Sequence, residues 1–258
     1  MAGSAGRRTG ASGYGEPVSL VAAAVCPHPP LIVPELAGAA APELDDLRAA
    51  ADAAVAGLLE TGPESLVVVA GNARGAEYFS PFRGSFTPWG LPLEVRLADR
   101  PDGPDEGDPL PLGLLVGAWL LRRAPEPTGR TYRMMTVADD EPVAGCRALG
   151  ERIGSDRPWA LLVMGDGSAC RGQKSPGYDD PRAGAYDEGV ARALAAADAE
   201  ALLGLDPGLS AELRVAGRAP WQVLAGAVRA AGGDWRGELS YADAPYGVSY
   251  FVANWRPA

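Results

Sequence analysis

Histidine is nearly absent from this 258-residue chain, which holds one, His28. A metal centre or proton-transfer site must use that residue or do without imidazole, the side chain that titrates nearest neutral pH and a preferred ligand of divalent metals. Lysine is as scarce. Of 23 basic residues Lys174 is the only lysine, a bias that, with abundant Ala, Gly and Pro, reads as GC-rich coding rather than function. Positive charge is short overall: a net charge of −10 and a pI near 4.7 argue against general affinity for nucleic acid or an anionic membrane. Cysteine is sparse too. Cys26, Cys146 and Cys170 are odd in number and widely spaced, so neither a disulfide framework nor a zinc knuckle follows, and a reducing cytoplasm is the simpler setting. No run reaches the ~18 uncharged apolar residues of a membrane helix. Leu20–Val25 is too short for a signal-peptide core and runs into prolines.

The chain is long enough to bury a sizeable core. Residues 1–16, rich in Gly, Ser and Ala, read as a disordered tail, and 17–258 as a single domain without linker or repeat. Strands are expected at Val18–Val25, Ser65–Ala70, Leu93–Leu97, Tyr132–Val137 and Trp159–Met164, with Trp235–Tyr241 pairing Val248–Trp255. Helices are expected at Pro42–Leu59, Leu110–Arg123, Pro142–Ile153, Ala185–Ala197, Glu200–Leu205 and Trp221–Ala231, and an exposed acidic loop at Asp99–Asp108. Unbroken apolar strands alternating with amphipathic helices predict an α/β fold, a mostly parallel central sheet flanked by helices.

In such sheets ligands bind beyond the carboxyl ends of the strands. His28 lies there, in Cys26-Pro27-His28-Pro29-Pro30, as a metal ligand or as a polar residue bonded to backbone or water. Asn72 and Arg74 follow the second strand between Gly71 and Gly75. They either let backbone and guanidinium meet an anion or form a turn with a solvated cation. Gly165-Asp166-Gly167-Ser168 opens a third loop, in which Ser168, Arg171 and Lys174 could face a carboxylate or phosphate and Asp166 could bind ligand or cap a turn. A nucleotide P-loop is disfavoured there, because Gln173 precedes the lysine and Pro176-Gly177 blocks the required helix. A serine hydrolase is disfavoured as well: no G-x-S-x-G elbow appears, and the histidine lies in the wrong chain order. Tyr78, Phe79, Phe82, Phe86 and Trp89 suit a flat pocket or, more readily, the core.

Cys26-Pro-His-Pro-Pro-Leu-Ile-Val-Pro-Glu35, Val163-Met-Gly-Asp-Gly-Ser168, Tyr186-Asp-Glu-Gly-Val with Asp206-Pro and Gly217-Arg-Ala-Pro-Trp-Gln-Val-Leu-Ala-Gly226, and Ala244-Pro-Tyr-Gly-Val-Ser-Tyr-Phe-Val-Ala253 carry a family likeness. Together they resemble the class III extradiol dioxygenase subunit-B-like family and the related Memo-like proteins, most nearly an actinobacterial branch. The resemblance covers residues 18–255 and implies the subunit-B-like version of the fold. It also implies a facial triad of two histidines and a carboxylate on Fe(II), with a further acid–base histidine. His28 matches the first ligand. Asn72 stands where the second histidine belongs, Ala244 near the Memo-like cysteine ligand, and Ala169, Cys170 and Arg171 where the acid–base histidine falls.

A complete triad cannot be assembled from one histidine. The expectation is therefore a degenerate metal site that binds a small anionic or aromatic molecule through His28, Asn72, Arg74, Asp166, Ser168 and Arg171, without ring cleavage. The alternative is a metal-dependent enzyme, dioxygenase or hydrolase, built on a reduced site at His28. There Zn, Mn or Fe would be shared with Cys26 or with Asp139, Asp140, Asp166 or Asp243. The partner is expected to be a small molecule, with neither nucleic acid nor membrane involved, and a homodimer is left open.

Overall fold

The structure, a computed structural model, describes residues 20–97, 108–125 and 130–258. The expected tail and nearly all of the acidic loop lie outside these. The first strand, β1 (Leu20–Cys26), stops at the prolines. After it come a 3-10 turn, Pro30–Ile32, the short α1 (Pro34–Ala37), a second 3-10 stretch, Gly38–Leu44, and α2 (Asp45–Glu60). The sheet continues with β2 (Ser65–Asn72), β3 (Ala76–Tyr78), β4 (Phe82–Ser85) and β5 (Glu94–Leu97). Next are α3 (Leu112–Arg123), β6 (Thr131–Ala138), α4 (Val143–Arg152) and β7 (Trp159–Met164). The chain closes with α5 (Arg182–Ala196), α6 (Ala199–Leu203), α7 (Pro207–Glu212), α8 (Arg218–Ala231), β8 (Trp235–Asp243) and β9 (Tyr250–Pro257).

The main sheet has the order β3-β6-β2-β7-β1-β9-β8. Its centre, β6, β2, β7 and β1, is parallel, while β9, β8 and β3 run antiparallel at the flanks. All six residues of β7, and the first six of β2, are buried. This follows from their continuous apolar sequence, which suits a strand covered on both faces. Helices α2 and α3 pack on one face through Leu47, Val55, Leu114 and Ala118. The other face is covered by α4, α5, α6 and α8, with Cys146, Val190, Leu202 and Trp221 inward. The α/β architecture, with a mostly parallel central sheet and flanking helices, is as expected from the alternation.

Several elements differ from the sequence reading. The expected helix from Pro42 begins as 3-10 turns and becomes α-helical only at Asp45. The strand expected at Leu93–Leu97 is β5, but it pairs with β4 in a small hairpin, and neither β4 nor β3 was expected, being too short to show periodicity. Pro220 lies inside the first turn of α8 rather than before it. It is tolerated because the first turn's N–H groups have no intrahelical acceptor. Helix α7 follows an Asp206 cap, whose Oδ1 accepts from the Leu209 N–H at 2.7 Å, the standard side-chain answer to an orphan donor.

Candidate functional site

Because β1, β7, β2 and β6 are parallel, their carboxyl ends bring the loops beginning at Pro27, Gly165, Ala73 and Asp139 to one edge. The antiparallel β9 starts at the same edge with Tyr250. The β1–β7 ladder runs one step past the strands, as the Gly165 N–H donates to the Cys26 carbonyl at 3.0 Å. The next donor is the His28 N–H, and the Asp166 side chain replaces a backbone carbonyl for it, accepting at Oδ1 over 2.7 Å. Pro27 and Pro29 have no N–H of their own, so His28 supplies the lone backbone donor of this segment.

The His28 side chain is nearly enclosed, with 9 % of the residue exposed. Its Nδ1 is buried without a hydrogen-bond partner and stands 3.6 Å from Asp166 Oδ1, beyond hydrogen-bond length. The ring lies over the start of α3 at Gly113. A Cβ there would come within 2.7 Å of Ala70 Cβ and 3.8 Å of the imidazole, so glycine lets the helix end approach this closely.

Burial pushes the Asp166 carboxyl above its ordinary pKa, against the opposing pull of the His28 ring and N–H. Asp139, just past β6, is also raised by burial and lowered by His28 and Arg218. Its Oδ1 occupies the space a Cβ on Gly71 would need, at 2.7 Å. The Tyr250 phenol is pushed up by burial and by the Asp166 carboxylate. His28, Asp166, Asp139 and Tyr250 thus form one electrostatically connected group at the strand ends.

Of the residues expected at a site, His28 and Asp166 are in direct contact. Asn72 ends β2 half-buried at the same edge, its carbonyl accepting from the Asp139 N–H at 2.9 Å. Arg74 does not join them. It is exposed, its guanidinium makes no ion pair among the described residues, and its carbonyl accepts from Thr136 Oγ1 at 2.8 Å. Ser168 turns inward to Asp187, and Arg171 reaches the same group from the surface; Asp187 is a buried carboxylate that sequence reasoning did not single out. Asp187 accepts from the Ser168 N–H at 2.9 Å and hydroxyl at 2.5 Å, the Ser249 hydroxyl at 2.6 Å and Arg171 Nη1 at 3.4 Å. These two residues are spent on locking the loop after β7 to the start of β9. Phe82 and Phe86 belong to the core, and Phe79 is 75 % exposed. Asp187 and Tyr250 both lay within the segments that carry the family likeness; only the topology gives each a role.

Among the described residues no three His, Cys, Asp or Glu side chains are grouped so as to hold a metal ion. Cys26 is fully buried, and burial pushes its thiol up to about 12. The residues present do not fit the iron triad of the resembled family.

No family model and no curated protein matches the chain. Among solved structures it is similar to that of the uncharacterized protein JW3007 from Escherichia coli K12. The two are 13 % identical over 92 % of this chain and 99 % of that one, with a TM-score of 0.48.

Proposed function

We propose that this protein binds a small aromatic or anionic molecule at the edge formed by His28, Asp166, Asp139 and Tyr250, and does not cleave aromatic rings. In this reading it is an extradiol-dioxygenase-like chain whose metal site has degenerated. One observation carries it: a buried, unpartnered His28 Nδ1 beside a half-buried carboxyl. Most buried polar atoms in folded proteins are bonded, and an orphan costs about 1–3 kcal/mol. A ligand hydroxyl that reaches the pair removes that penalty. Of the two ligand classes the hydroxylated aromatic fits better. Asp139 and Asp166 repel an anion, and Ser168 and Arg171 are already engaged by Asp187.

The second reading, a metal-dependent enzyme at His28, is favoured by the electrostatic reach of His28 to both Asp139 and Asp166. Against it stands the lack of a three-ligand group among the described residues. A reducing cytoplasm is supported by three buried free thiols. Among the described residues no helix is long and apolar enough to cross a membrane.

The test combines calorimetry with oxygen uptake. Protocatechuate and related catechols are titrated into protein as purified, and then into protein loaded anaerobically with Fe(II). Saturable binding that His28→Ala removes, without oxygen consumption, is the expected result. Iron-dependent turnover that His28→Ala abolishes would restore the dioxygenase, and failure of every compound to bind would remove the binding reading. Stoichiometric Zn or Mn in purified protein would establish the second reading.

A further inference from the structure

A groove on a different part of the sheet has the form of a binding site and uses none of the residues above except the strand β6 that carries Asp139 at its end. Helix α4 packs on α8 through two glycines. A Cβ on Gly150 would lie 2.1 Å from the Val223 carbonyl oxygen, and one on Gly226 2.3 Å from that of Arg147. This close crossing holds α4 against α8, and beyond it β3 has only three residues to extend the sheet. A groove of about 410 Å³ is left between α4 and the β6-β3 face, within the range of small-ligand sites.

The groove is polarised along its length. Its floor is apolar, with Met135 and Val137 from one face of β6, Leu149 from α4 and Ile153 just past that helix. At the end of α4 next to the start of β6 stands Arg152, a guanidinium with no ion pair among the described residues. Beside it Arg133 is already committed, bonded to Glu77 Oε1 at 3.0 Å and to the Ile153 and Gly154 carbonyls at 3.2 Å. At the opposite end Glu141 folds over Gly145, occupying the space a Cβ there would take. Its carboxylate likewise makes no ion pair among the described residues. The free anion lies at Gly145 and the free cation at Arg152, seven residues along α4 or about 10 Å at 1.5 Å per residue.

We propose that this groove binds a short extended peptide with both termini free, about three residues long, its carboxylate at Arg152 and its ammonium at Glu141. Three extended residues span about 10–11 Å, which matches the separation. Alternate apolar side chains of such a peptide reach the floor formed by Met135, Val137 and Leu149. A fatty acid of the same length satisfies Arg152 but lays its methyl end against the Glu141 carboxylate, which it desolvates without a partner. The zwitterion satisfies both ends.

The experiment is calorimetric titration of the full chain with the tripeptide Val-Ala-Leu in free, N-acetylated and C-amidated forms, and with decanoate. The free peptide is expected to bind saturably. Glu141→Gln or N-acetylation should each weaken binding about tenfold, as for loss of a charge-assisted bond, and Glu141→Gln should not weaken the acetylated peptide further. Arg152→Gln and C-amidation should behave the same way as a pair. Both substitutions are at the groove rim, and unchanged melting temperatures show that the variants fold. His28→Ala should leave peptide binding intact, which separates this site from the His28 edge. No binding of the free peptide, equal binding of the blocked forms, or decanoate binding as tightly as the peptide would overturn the proposal.

Discussion

One carboxylate oxygen of Asp166 accepts the His28 backbone N–H at 2.7 Å, while Nδ1 of the same histidine stands 3.6 Å from that oxygen. The backbone contact is satisfied and the side-chain contact is not. The chain therefore holds the imidazole in place without using its hydrogen-bonding capacity. A buried polar atom left without a partner is an exception in folded proteins.

The first prediction concerns Asp166 and pH. Its folded-state pKa lies above the ordinary carboxyl value, so folding favours the neutral acid. The unfolded chain ionises first as pH rises, and stability is lost as pH climbs through the raised folded value. Asp166→Asn keeps an oxygen for the His28 N–H and removes the ionisation. It should raise stability at pH 8 by about 1 kcal/mol and make little difference at pH 3, as read by chemical denaturation at both. Equal effects at the two pH values would contradict the assignment.

Asp187 gives the second. It is buried, and four donors converge on its two oxygens. Asp187→Ala strands two hydroxyls and a backbone N–H and should cost about 3 kcal/mol or more. Ser249→Ala removes one of the donors and should cost about 1 kcal/mol. Urea melts of the two variants check the ratio. A mild Asp187→Ala would mean that the loop after β7 is held by other contacts.

The third tests the α4–α8 crossing. Gly150→Ala places a methyl 2.1 Å from the Val223 carbonyl oxygen, a backbone atom that cannot rotate away. The helices must separate, at a cost of about 3 kcal/mol. Gly62→Ala serves as a contrast: its Cβ meets nothing within 4 Å and only its φ of +70° opposes the change, so about 1 kcal/mol is expected. Thermal melts of both should show the difference.

The central sheet was legible because Leu66–Ala70 and Trp159–Met164 are unbroken apolar runs, which only a strand buried on both faces accommodates. The position of His28 at a strand end followed from Pro27 and Pro29. What could not be read was direction. Ser168 and Arg171 carry the chemistry of an anion site, yet a carboxylate nineteen residues past Ser168 and on another element engages both. A buried acceptor outcompetes solvent for such donors, and no local spacing announces it. Tyr250 escaped notice for a related reason: it joins the site only because β9 runs antiparallel to β1 and starts where β1 ends. Of the β4-β5 hairpin, β5 was legible at Leu93–Leu97 and β4 was not, because a four-residue strand holding Gly84 carries almost no pattern.

The last prediction concerns the cysteines. Cys26 and Cys146 are wholly buried and Cys170 almost so. Burial raises all three thiols, Cys26 to about 12 and Cys146 to about 11. For Cys146 the nearby Arg218 guanidinium opposes the rise but does not cancel it. Reactivity belongs to the thiolate, so at pH 8 the folded protein should react with less than about one equivalent of an aromatic disulfide reagent over an hour, and with three equivalents once denatured. The sign of the pH dependence is fixed by the same shifts: raising the pH to 9.5 should leave Cys26 and Cys146 slow in the native protein, because both titrate above that pH. Arg218 offers an internal control. Arg218→Met removes the cation that favours the Cys146 thiolate, so native reactivity should not increase unless the fold opens. A fast-reacting thiol in the native wild-type protein would show that a strand end or α4 opens readily, and the enclosed description of the His28 edge would then need revision.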